Sequence, residues 1–161
     1  MKKNANRRVA YRNLPQLFLQ ARERLMIHFR PLFQHFGLTE QQWRVLRALD
    51  EQGELEPWEL CEACHFHSSS MAGILARMTE MKLIVRHAVP EDQRRLRIAL
   101  SAKGDRTVRD IAPLIDRQYR YLEQALGERM DRLAAALEDF IAADMGPVKK
   151  VDLPAAAGDG K

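Results

Sequence analysis

The 161-residue chain has only two cysteines, too few for the disulfide framework of a small secreted domain. Its longest apolar runs are far too short to span a bilayer. The N-terminus is basic, but no apolar signal core follows it. Together these absences read as a cytoplasmic protein. There is no Gly-rich phosphate loop, no GxSxG elbow and no HExxH motif. The five histidines, His28, His35, His65, His67 and His87, do not form a spaced catalytic set. The reading is therefore not an enzyme, and no cofactor is expected.

What is present is a chain able to bury a core, with 46% hydrophobic and 30% charged residues. The net charge is +4, and Arg far outnumbers Lys. The planar guanidinium grips phosphate oxygens at two points, so a nucleic-acid partner comes into view beside the plainer reading of a solvated basic surface. Lys2, Lys3, Arg7, Arg8 and Arg12 make the first twelve residues a basic arm without an acid.

Apolar periodicity predicts a long opening helix from Asn13 to Phe36, with Asn13 as cap, Pro15 in the first turn and a kink or local end at Pro31. A second helix runs from Thr39 to Gln52, where Thr39 and Gln42 have capping-box spacing. A short third helix covers Glu56 to Cys64, and a fourth covers Ser68 to Met81. Strands follow at Leu83 to His87 and Leu96 to Leu100. A fifth helix, Ala102 to Leu126, is capped by Ser101 and should bend at Pro113. A sixth spans Glu128 to Ala143, and the Pro/Gly/Ala-rich end reads as disordered. The fold class is mainly α with a small β-hairpin wing.

The stretch from His67 to Ser101 organises this order. Ser68, Ser69 and Ser70 open a helix, where exposed N–H groups and the dipole favour phosphate and hydroxyls add donors. Ordinary capping would need only one of them. Arg77 falls on the outer side of the same helix, to face a groove, the backbone or a surface acid. The hairpin turn carries Asp92, Arg94 and Arg95. A carboxylate that pairs with an arginine can fix where it points, so Arg94 can enter a minor groove, with Arg95 on phosphate. A helix followed by an arginine-tipped hairpin is what a winged helix-turn-helix presents to double-stranded DNA. The terminal helices carry apolar stripes that the small centre cannot cover, which implies a two-fold homodimer on a pseudo-palindromic operator. The expected divisions are a basic arm and first dimerisation helix over 1–36 and a DNA-binding domain over 37–101. Dimerisation helices follow over 102–145, then a tail over 146–161. Cys61, Cys64, His65 and His67 also have metal-like spacing, but no second ligand pair accompanies them. A redox- or metal-responsive regulator, or a ligand-independent DNA-binding protein, stays as the alternative.

Four blocks carry a resemblance to a known family. They are Leu38-Thr39-Glu40-Gln41-Gln42-Trp43-Arg44-Val45-Leu46, Glu59-Leu60, Ser70 to Met78, and the run from Leu83-Ile84-Val85-Arg86 through Asp92-Gln93-Arg94 to Leu100-Ser101-Ala102-Lys103-Gly104. In these the chain resembles the MarR family of winged-helix regulators, and the wing resembles that family's Asp-x-Arg. The Arg12-Asn13-Leu14-Pro15 opening and the Gln42 to Leu49 run are similar to its homoprotocatechuate operon repressors. The resemblance implies a repressor released by a hydroxyphenylacetate-type aromatic carboxylate. It also implies a ligand pocket where the first, second and fifth helices meet the DNA-binding lobe. Arg22 is the candidate cation there, Trp43 a flat wall or plain core, and Arg44 a second cation that could equally face DNA or solvent. Two departures stand out. Ala72 and Gly73 replace the Thr and Arg of many members, and Lys82 stands where many have Gly.

Overall fold

The computed structural model describes residues 9, 11–89 and 92–148, and their side chains except at 89 and 92–94. Most of the basic arm, residues 149–161 of the expected tail and the turn at 90–91 lie outside the described residues.

The first departure from expectation is at Pro31. Helix α1 covers Leu14–Met26, capped by the Asn13 side chain, which accepts from the Gln16 N–H at 3.1 Å. The single helix expected to Phe36 is instead two, because α2 starts afresh at Arg30–His35. A proline inside one continuous helix would press its ring on the carbonyl four residues back, that of Ile27. Restarting at Arg30 puts Pro31 in a first turn, where its missing N–H costs nothing.

Helix α3, Glu40–Gln52, starts on the expected capping box. Thr39 Oγ1 accepts from Gln42 N–H at 3.2 Å, and Gln42 Oε1 accepts from Thr39 N–H at 2.8 Å. Helix α4 is Pro57–Cys64 and α5 is Ser68–Glu80. The connection between them passes through His65 with φ 50°. Strands β1, Ile84–Val89, and β2, Asp92–Leu100, pair antiparallel with Ile84 opposite Leu100. Both are longer than the periodicity suggested. Leu55 adds a short bridge to Ile98, exchanging bonds of 3.0 and 2.8 Å.

Helix α6, Ala102–Leu126, has the expected bounds with Pro113 inside it, and α7 is Glu128–Ala142. The start of α6 is locked to the end of α5. Ser101 Oγ donates to the Lys82 carbonyl at 2.6 Å and accepts from Gly104 N–H at 3.0 Å. Lys103 Nζ donates to the Met81 carbonyl at 2.9 Å. Lys82 itself has φ 58°, a left-handed conformation that costs a side-chain-bearing residue about 1 kcal/mol. Gly104 leaves no room for a side chain without a shift, since a Cβ there would lie 2.0 Å from the Leu83 carbonyl oxygen.

Leu46 of α3, Leu60 of α4, Met71 and Met78 of α5, Ile84 and Ile98 of the hairpin and Ile111 of α6 are fully buried and form the core. The chain divides into two compact units, one ending at Tyr121 and the other beginning at Leu122. Among the described residues no helix is long and apolar enough to cross a membrane.

Candidate nucleic-acid interface and ligand cavity

Helix α5 turns Met71, Leu75 and Met78 into the core, which leaves the opposite face to solvent. Ser68, Ser69 and Ser70 are exposed at its start, and no side chain caps it. Their hydroxyls and the N–H groups of Ser68 and Ser69 together form an anion-ready end, while the Ser70 N–H donates to the His67 carbonyl at 3.0 Å. Arg77 is exposed on the same outer side and has no ion-pair partner among the described residues. Ala72 and Gly73 are exposed too, and a side chain at Gly73 would meet open space. A shallow groove of about 480 Å³ runs between α5 and the first turn of α3, lined by Gln41, Ser70, Gly73, Arg77 and Glu80 among others.

The wing is anchored from behind. Arg95, in β2, is hydrogen-bonded to the Glu56 carboxylate, with Nε at 3.3 Å and a closer contact from its terminal nitrogen. Glu56 is buried at the cap of α4, and its own N–H donates to Glu59 at 2.7 Å. The Arg95 hydrogen bond holds the Glu56 carboxyl below the usual carboxylate range, against the opposing effect of burial. Arg95 therefore ties the hairpin to the helix pair. Asp92 and Arg94 lie on β2, and their side chains are outside the described ones.

A second cavity, about 290 Å³, opens where α1, α2, α3 and α6 meet. It brings together Arg22, Trp43 and Arg44, and adds Phe29, Phe33, Glu40, Arg47 and Tyr119. Phe33 stacks on Trp43 with centroids 5.8 Å apart, and Phe29 packs on Tyr119 at 4.8 Å. Trp43 is buried, so its packing role and its wall role coincide. Phe29, Phe33 and Tyr119 were legible only as members of a core stripe, because periodicity does not distinguish a wall from a filled interior.

The three guanidiniums of this cavity differ in their partners. Arg22 is ion-paired with Glu40. Arg47 bonds Glu51 at 2.6 Å, which raises its already high pKa. Arg44 has no carboxylate partner among the described residues. It donates to the Cys64 carbonyl and lies 4.4 Å over the Phe66 ring. Cys61 is half-buried and Cys64 buried, and desolvation pushes the Cys64 thiol up, away from the reactive thiolate. Among the described residues no three His, Cys, Asp or Glu side chains gather as a metal site.

A family model described as MarR family matches residues 36–95. The homoprotocatechuate degradative operon repressor of Escherichia coli is 37% identical over 137 residues, covering 84% of this chain and 91% of that protein. The crystal structure of transcriptional regulator PA4135 superposes with a TM-score of 0.78 at 34% identity, covering 85% of this chain and all of that one. NadR in complex with 4-hydroxyphenylacetate gives a TM-score of 0.71 at 32% identity, covering 86% and 99%.

Proposed function

The chain belongs to the MarR family, and we propose that this transcription regulator is a homodimeric repressor released from its operator by a small aromatic carboxylate. Residues 37–101 read the DNA, while 1–36 and 102–145 pair two copies. Two α5 helices then enter successive major grooves of a pseudo-palindromic site, about one helical turn apart. Ser68, Ser69 and Ser70 contact phosphate or base edges, Arg77 the groove wall, and the Asp92–Arg94 wing the adjacent minor groove. Arg95 supports the wing through Glu56 and adds positive charge near phosphate. Dimerisation is supported by large apolar side chains left exposed, Leu14 and Leu17 on α1, Leu133 and Ile141 on α7.

One observation carries the ligand half of the reading. Arg22, Trp43 and Arg44 line one cavity with aromatic walls, and α3 bears two of them while packing against α4 and α5. An aromatic acid needs flat apolar walls and a cation. The similarity to a homoprotocatechuate operon repressor and to a regulator bound to 4-hydroxyphenylacetate supports the same ligand class. The ligand releases DNA only if it prefers the state with mismatched reading helices, since equal affinity for both shifts nothing.

The test is a mobility shift on the DNA upstream of the protein's own gene, titrated with 4-hydroxyphenylacetate and homoprotocatechuate. A complex weakened by neither acid would falsify the sensor assignment. Arg94→Ala is expected to weaken DNA binding while the protein still elutes as a dimer. A monomeric variant would show that Arg94 belongs to the pairing surface instead.

A further inference from the structure

We infer that Arg44 is the positioning residue through which the ligand cavity controls the reading helix, because its side chain lines the cavity while its guanidinium braces the turn ahead of that helix. This rests on the ligand-responsive reading above and names its route.

The turn between α4 and α5 is three residues long, His65 to His67, and its shape sets the angle of the reading helix. His65 adopts φ 50°, an uncommon conformation for a residue with a side chain, so the turn relies on its surroundings to hold it. Two backbone bonds help, Phe66 N–H to the Cys61 carbonyl at 2.9 Å and His65 N–H to the Glu62 carbonyl at 3.1 Å. Arg44 supplies the rest from α3. It satisfies the Cys64 carbonyl, one of the last-turn carbonyls with no partner inside the helix, and sits at the negative end of the α4 dipole. Its flat face covers the Phe66 ring.

The same side chain lines the 290 Å³ cavity. Its neighbours there already hold carboxylates, Arg22 that of Glu40 and Arg47 that of Glu51. A ligand carboxylate that recruits either must share the guanidinium with an acid already in place. Recruiting Arg44 meets no competing carboxylate among the described residues, and it exchanges one bond to a carbonyl for a two-point pair with an opposite charge. The anion therefore takes Arg44, the Cys64 carbonyl loses its donor, Phe66 loses its cover, and the turn ahead of Ser68 is released. Ligand and DNA-competent turn compete for one group, which is negative coupling between two sites. The coupling is reciprocal, so operator-bound protein should bind the acid more weakly by the same factor.

The measurement is the ratio of operator Kd with and without saturating 4-hydroxyphenylacetate, for wild type, Arg44→Met and Phe66→Leu, with ligand affinity by calorimetry. Phe66 does not line the cavity, so its variant separates the turn from the ligand contact. The wild-type ratio is expected to be about tenfold or more, falling to about twofold or less in Arg44→Met. Phe66→Leu should lower the ratio severalfold while binding the acid at least as tightly, because the guanidinium is freer to turn. If Arg44→Met does not fold, Phe66→Leu alone decides the matter. A wild-type ratio kept by every variant that folds overturns the inference and leaves the sensor reading standing. A wild-type ratio near one removes the sensor reading, and this inference with it.

Discussion

The centre of the molecule and its two end helices carry the same 3.6-residue apolar rhythm, yet only the centre buries it. Leu46 of α3 is fully enclosed, and Met71, Leu75 and Met78 of α5 are all buried. Neither α1 nor α7 buries a single residue by the same measure. Leu14 and Leu17 on α1 are 50% and 42% exposed, although their spacing is as regular as that of the core. An amphipathic pattern thus states that a face seeks cover, and leaves open what provides it. In the centre the cover is intramolecular. At the ends, a second copy is the proposed cover.

The contrast yields graded expectations. Leu46→Ala should cost about 2–5 kcal/mol in denaturant unfolding, the cavity cost of a closed core. Leu133→Asp, on α7, should instead abolish the dimer in light scattering while the helical circular dichroism persists. If it unfolds the chain as Leu46→Ala does, α7 is core and the distinction fails. Gly104→Ala should cost about 1–3 kcal/mol, since its Cβ must push the Leu83 carbonyl away. Thr39→Ala should cost about 1 kcal/mol through loss of the α3 cap.

The smallest effect concerns pH. The Glu56 carboxyl is held below its ordinary value by Arg95, so its contribution to stability is present above the ordinary carboxylate range. It is lost as pH falls through the lowered value. Melting temperature measured from neutral pH down to about pH 3 should therefore fall less steeply for Arg95→Gln than for wild type. Parallel curves would mean that the pair adds nothing beyond position.

Features that depend on neighbours in the chain were readable beforehand. The Thr39–Gln42 capping box, the bounds of α6 and the helix-then-hairpin order all rest on contacts within four residues or on a period. The α1–α2 break was partly legible, because Pro31 implied a kink or a local end, but not that a new helix would start at Arg30 and place the proline in its first turn. Arg22 and Trp43 were placed in a cavity by resemblance, not by spacing. No local rule pairs Arg22 with Glu40, or Arg95 with Glu56 thirty-nine residues away.

The deepest gap concerns the His67 to Ser101 reading unit. Its helix, its serines and its arginine-tipped strand follow from residue type and order, because capping, periodicity and turn chemistry act over a few bonds. How that unit is held does not follow. Arg44 reaches across from α3 to the Cys64 carbonyl, and Arg95 reaches back to Glu56, and a guanidinium's partner is chosen only once folding has brought distant acceptors within hydrogen-bond range.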